Sequence, residues 1–141
     1  MIFWDTSALI KCYGVETDHD RATNLLTREK GHKGCALLRI ETISGLVRRS
    51  GSDRALRDSA VALAQDHLKA FDLVPVDGPL LDLGIKLAIQ HSLRAADSLH
   101  LAALVRMVRE IGRKRLHFAT ADAELADAAA SEKIKVIRLA L

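Results

Sequence analysis

Four acids stand where a carboxylate could do chemistry: Asp5, Glu41, Asp97 and Asp122. Asp5 ends the abrupt apolar run Ile2-Phe3-Trp4 and is followed by Thr6-Ser7-Ala8-Leu9-Ile10, which reads as the start of a helix. The same event recurs where Leu116-His117-Phe118-Ala119-Thr120 runs into Asp122 and then into Ala123-Glu124-Leu125-Ala126. Each of these two acids closes a buried strand and opens a helix. In a parallel sheet such junctions are the carboxyl ends of strands, the edge where ligands bind. Asp97 precedes Leu101, Leu104 and Val108 by 4, 7 and 11 residues, so it shares a helix face with residues that pack on the core. Glu41 lies in the first turns of a helix whose core stripe reads as Ile40, Ile43 and Val47, and the small Ser44 and Gly45 are expected to leave space around it.

Each acid has an ordinary explanation by itself. Asp5 and Asp122 could be helix N-caps, Asp97 a first-turn acid favoured by the helix dipole, and Glu41 a solvated helix residue. Together they point toward one edge of the sheet, with no basic residue among them. Clustered carboxylates repel and shift their pKa values unless a divalent cation neutralises them. Ligation by oxygen alone is what Mg²⁺ or Mn²⁺ prefers.

The elements that must position these acids follow from periodicity. Short apolar runs at 2–4, 34–37, 71–76, 116–119 and 134–139 alternate with helical patterns at 6–13, 17–29, 38–50, 53–70, 79–91, 95–112 and 122–131. This alternation predicts an α/β fold: a three-layer α/β/α domain with a central, mainly parallel sheet of four to five strands. At 141 residues the expectation is a single domain, 1–141, and Pro75 and Pro79 punctuate a turn within it. A hydrophobic content of 49% is enough to bury a core and argues against disorder. The net charge of +3 permits a polyanionic partner without demanding one. Cys12 and Cys35 have no CxxC spacing and read as small buried hydrophobes in a reducing cytosol. No apolar run approaches the ~18 residues of a membrane span, and Met1-Ile2-Phe3-Trp4-Asp5 lacks the basic start of a signal peptide. The expected location is cytoplasmic. A Gly-rich phosphate loop, a GxSxG elbow and an HExxH helix are all missing.

Four segments carry a family resemblance in register along the whole chain. Phe3-Trp4-Asp5-Thr6-Ser7-Ala8-Leu9-Ile10-Lys11 resembles the first motif of the PIN-domain ribonucleases, and within them of the VapC toxins of bacterial toxin–antitoxin pairs. Leu37-Leu38-Arg39-Ile40-Glu41 resembles the second motif, although Cys35-Ala36 stand where serines often precede it. Leu93-Arg94-Ala95-Ala96-Asp97-Ser98-Leu99-His100-Leu101-Ala102 is similar to the third, and Phe118-Ala119-Thr120-Ala121-Asp122-Ala123-Glu124-Leu125 to the fourth. The resemblance implies an Mg²⁺-dependent endoribonuclease (Mn²⁺ as an alternative ion) that hydrolyses RNA and is held inactive by a cognate VapB-type antitoxin. It implies Asp5 and Asp97 as the foremost metal ligands, with Asp122 and Glu41 completing the site or holding waters. Ser7 and Thr120 would be hydroxyls that orient the carboxylates. Arg39 and Arg94, near the acids in sequence, are candidates for contact with the substrate phosphate.

Two other functions compete. An aspartate-dependent phosphatase would also place an Asp at the end of its first strand, but it normally has a second acid two residues later, where this chain has Ser7. A catalytically silent PIN module binding RNA or protein would gain nothing from four unpaired carboxylates. Several features read as structural. Asp97 and His100, three residues apart, could be a metal couplet, but His100 shares a stripe with Ala103, Leu104 and Met107. Trp4 reads as core. The run Arg106, Arg109, Arg113, Lys114 and Arg115 reaches roughly 24 Å from Asp97 along a regular helix, so it reads as complementing a helix C-terminus. The apolar residues of helix 53–70, with Ala22, Leu25 and Leu26 of helix 17–29, are expected to offer a groove for the antitoxin, or a face for a homodimer.

Overall fold

The computed structural model describes residues 1–141. The chain runs β1 (Ile2–Trp4), α1 (Thr6–Leu9), a 3₁₀ turn (Ile10–Tyr13), α2 (His19–Arg28), β2 (His32–Cys35), α3 (Leu37–Arg49), α4 (Arg54–Leu68), β3 (Asp72–Val74), α5 (Gly78–His91), α6 (Ala95–Ile111), β4 (His117–Thr120), α7 (Ala123–Ser131) and β5 (Lys135–Arg138). All five strands are parallel and lie in one sheet in the order β3-β2-β1-β4-β5. The chain builds outward from β1 to β3 and then crosses back, through α5 and α6, to β4 on the other side of β1. The reversal point is therefore the gap between β1 and β4, and a crevice at the carboxyl ends of strands is expected there.

Alternation along the strands divides the core in two. Phe3, Cys35, Val74 and Phe118 face one side and pack with residues of α5, α6 and α7. Ile2, Trp4 and Ala119 face the other and pack with residues of α1, α2, α3 and α4. Phe3 and Phe118 meet across the β1–β4 pair with ring centroids 6.1 Å apart, a contact worth about 0.5–1.5 kcal/mol beyond area burial. Trp4 is fully buried, as its sequence setting predicts, and its Nε1 donates to His32 Nδ1 at 3.0 Å. Cys12 and Cys35 are free and buried. No helix is long and apolar enough to cross a membrane.

Local signals fix the helix ends. Asp53 and Asp77 accept from Leu56 N and Leu80 N and cap α4 and α5. Gly112, at φ +90°, takes the chain out of α6 through a conformation other residues resist. Arg106 grips both oxygens of Asp77 and so ties α6 to the start of α5. Arg113 donates to the Glu132 carbonyl at the end of α7, in keeping with a role at a helix C-terminus.

The face of α3 corrects the reading from periodicity. Its buried residues are Leu38, Thr42 and Leu46, while Ile40 is 64% exposed and Val47 42% exposed. The inward stripe includes the polar Thr42, which a periodicity of apolar residues passes over. Gly45 does not make room for Glu41 either. A Cβ there would lie 2.5 Å from Ile10 Cδ1, so the missing side chain lets α3 press on the 3₁₀ turn. Strand 34–37 is also shifted: β2 begins at His32, and Leu37 already belongs to α3. The helix expected over 6–13 is a short α-helical segment that tightens into the 3₁₀ turn.

Candidate active site

Asp5 and Asp122 stand just beyond the carboxyl ends of β1 and β4, Glu41 lies in the second turn of α3, which follows β2, and Asp97 enters from the first turn of α6. Asp5 and Asp122 flank the gap where the strand order reverses. Asp5 is 4% exposed. It occupies the N-cap position of α1, yet its side chain makes no capping hydrogen bond. Its Oδ2 instead accepts from two hydroxyls, Ser7 Oγ and Thr120 Oγ1, the latter at 2.9 Å. Each hydroxyl in turn accepts a backbone N–H: Ser7 Oγ from Ala121 N at 2.9 Å, and Thr120 Oγ1 from Asp122 N at 3.1 Å. With their lone pairs turned to the backbone, both hydroxyls have their protons committed to one carboxylate oxygen.

The pattern repeats at the other acids. Glu41 Oε1 accepts from Thr6 Oγ1 at 2.9 Å and from His100 Nε2. Asp122 Oδ1 accepts from Leu125 N at 3.0 Å, so this acid does cap α7, as the ordinary reading had it. In all three the protein holds one oxygen and leaves the other free. Asp97 is held by no donor. Burial and then the negative charges of Asp122 and Asp5 push its carboxyl up to about 6, with a smaller contribution from Glu41 and partial relief from His100. Asp97 thus feels the negative charge of each of the other three acids.

His100 overturns the expectation that no basic residue lies among the acids. It sits on the core stripe of α6 with Ala103, Leu104 and Met107, as predicted, and is 1% exposed. Its Nε2, however, reaches Glu41 rather than Asp97, across 59 residues of sequence. Burial by itself would lower the imidazole, but the bond to Glu41 and the charges of Asp5, Glu41 and Asp97 outweigh it and raise it. Glu41 moves the opposite way: burial would raise its carboxyl, and the His100 hydrogen bond and charge, with the Thr6 hydroxyl, hold it below the usual range. Thr6 and His100 are thus the site residues that sequence reasoning missed. Thr6 was signalled only by its place directly after Asp5, and no local spacing pairs His100 with Glu41, 59 residues away.

Arg39 and Arg94 are both exposed. Arg94 occupies the N-cap position of α6, where its carbonyl accepts from the Ser98 N–H and hydroxyl. Arg39 lines a groove of about 1130 Å³ between α3 and α4, with Ile40, Ile43, Leu68, Phe71 and Lys69 among its other walls. None of the four acids lines this groove. Leu25, expected on an open apolar face, is half-buried and packs against the core.

The donor set fits a hard divalent cation in kind: carboxylate oxygens, each with one side free, and an excess of negative charge. It is not a closed cage. No three His, Cys, Asp or Glu side chains are grouped closely enough to hold an ion by themselves.

The model of the PIN domain family matches residues 2–130. The chain belongs to the PIN-domain family. The crystal structure of FitAcB from Neisseria gonorrhoeae superposes on this PIN domain with a TM-score of 0.70 at 19% identity, covering 98% of this chain and 97% of that one. The crystal structure of PAE2754 from Pyrobaculum aerophilum gives 0.63 at 18% identity, covering 90% and 83%. These likenesses establish the fold. Among curated proteins none matches this PIN domain in sequence. The PIN domain is a nuclease fold, which makes a hydrolase acting on nucleic acids the functional class for this chain.

Proposed function

We propose that the chain is an endoribonuclease of the VapC type, dependent on Mg²⁺ or Mn²⁺, the toxin of a toxin–antitoxin pair, acting as one PIN domain over residues 1–141 in the cytoplasm. The observation that carries the reading is the shared arrangement of the acids. Asp5, Glu41 and Asp122 come from three separate parts of the chain and are each held by a single oxygen, while Asp97 among them has no donor at all. A bound divalent ion would polarise the scissile phosphate, assist ionisation of the attacking water and offset charge on the leaving oxygen. Asp5 and Asp97 would be its foremost ligands, with Asp122 and Glu41 completing the site or orienting water. Ser7 and Thr120 fix the Asp5 carboxylate so that its second oxygen is presented without reorganisation. Arg39 and Arg94, both exposed, would be the contacts to the RNA phosphates, and no side-chain nucleophile is required. Incubation with a panel of structured RNAs, and DNAs of matching sequence, tests this: cleavage of RNA is expected to stop in chelator and return with excess Mg²⁺. Cleavage that persists in chelator would contradict the proposal.

The antitoxin is expected to lay a C-terminal helix along the groove between α3 and α4, whose walls are mainly apolar. A basic side chain on that segment would meet the acid cluster and block RNA or replace the cation. Ala62 lines the groove from α4 and is exposed. Ala62→Glu is therefore expected to weaken antitoxin binding on the order of tenfold or more by burying an unpaired charge. RNA cleavage by the free protein should fall far less than antitoxin binding. Wild-type antitoxin affinity in a folded Ala62→Glu protein would place the partner elsewhere. Self-association belongs to the same reading, and the exposed stripe Leu81, Ile85 and Ile89 on α5 is the apolar face open to it.

A further inference from the structure

His100 is a histidine where packing alone would favour a leucine. It is 1% exposed among α6 core residues, and its Nδ1 is buried without any hydrogen-bond partner. An aliphatic side chain would fill the same space without stranding a ring nitrogen. What the imidazole adds is Nε2, and Nε2 does one thing: it donates to Glu41 Oε1. The Thr6 hydroxyl donates to that same oxygen from α1, directly after Asp5. We propose that His100 is the positioning residue of Glu41, and that with Thr6 it pins Oε1, leaving Oε2 as the oxygen that would be open to a bound cation or its water. α6 then sets two acids at once, carrying Asp97 in its first turn and holding Glu41 one turn later. The proposal rests on the reading of the acid cluster as a metal site. It assigns Glu41 its geometry within that site: a half-buried carboxylate on α3, anchored from the core.

Calorimetric titration of Mn²⁺ into the metal-free protein tests this without reference to activity. His100→Leu keeps the buried volume and removes the donor. It is expected to raise the Mn²⁺ dissociation constant by about tenfold or more, the usual effect of losing a group that orients a ligand. His100→Gln, whose amide nitrogen falls near the Nε2 position, is expected to bind nearly as tightly as the wild type. In a Glu41→Ala background, His100→Leu should weaken binding no further, because the residue it would position is gone. Wild-type affinity in His100→Leu, equal damage from His100→Gln, or full additivity with Glu41→Ala would each overturn the proposal. If His100→Leu does not fold, long-range proton–nitrogen NMR on the wild type still decides. The His100 Nε2 proton should be present, slow to exchange and shifted in Glu41→Ala; an unprotonated Nε2, or no change on removing Glu41, refutes the assignment. Asp97→Asn separates this from the broader reading. Loss of Mn²⁺ binding in Asp97→Asn alongside wild-type binding in His100→Leu would remove only the role of His100. Unaltered binding in Asp97→Asn would remove the metal site itself.

Discussion

Asp5→Asn and Asp97→Asn are each expected to lower RNA cleavage on the order of 10²-fold or more at equal RNA and Mg²⁺. That ratio corresponds to about 2.7 kcal/mol of barrier, which a cation stabilising charge in the transition state can supply. The substitutions exchange a charged oxygen for a neutral amide of the same shape, so packing is preserved and charge is what changes. At Asp5 the amide also challenges the two hydroxyls whose protons converge on Oδ2. Asp122→Asn is a milder instrument. The asparagine oxygen can still accept from Leu125 N and keep the cap of α7, so any loss there reports charge alone. Steady-state cleavage of a single labelled RNA measures all three; wild-type rates in Asp5→Asn or Asp97→Asn would contradict the assignment.

The second large effect concerns stability without metal. The Asp97 carboxyl lies at about 6 in the fold, against 3.8 for the free side chain, raised by burial and by the charges of Asp122 and Asp5. A pKa raised by folding adds stability that is fully present below the unfolded value and is lost as pH climbs through the folded one. Ionising Asp97 between about pH 4 and 6 is therefore expected to destabilise the metal-free protein. Asp97→Asn never acquires that charge, so in chelator it should melt above the wild type at pH values over about 6, and the gap should close toward pH 4. The raised His100 imidazole has the same sign of effect, but it is present in both proteins, so the comparison reads mainly Asp97. Adding Mg²⁺ should reverse the order above pH 6, because the ion stabilises only the form with the carboxylate intact. Thermal melts across pH, with and without Mg²⁺, provide the check. An Asp97→Asn protein that melts clearly lower in chelator would show that Asp97 serves α6 as a favourable first-turn acid and nothing more.

The parts of the site legible in the sequence were those set by local chain geometry. Asp5 and Asp122 follow short buried strands that stop abruptly, and a parallel sheet places such stops on one edge. Asp97 was legible because Leu101, Leu104 and Val108 fix the inward face of α6, and all three are buried. The surroundings of Glu41 were not. Helical periodicity selects apolar residues, but on α3 the apolar Ile40 and Val47 are exposed, with Ile40 lining the groove, while Thr42 turns inward. His100 was legible as a core residue and illegible as a partner of Glu41. The two are 59 residues apart and come together only when α6 packs over β2 and His100 reaches across to α3. Spacing within one helix carries no information about such a contact.

Asp5, Glu41, Asp97 and Asp122 are proposed to form one cation site. Anomalous scattering from crystals soaked in Mn²⁺ tests it most directly, because it locates the ion independently of any substrate. A manganese peak is expected within the acid cluster, bound directly by Asp5 and Asp97, and is expected to vanish in Asp97→Asn crystals. A cluster that stays free of manganese at saturating concentration, with the four acids unmoved, would contradict the account.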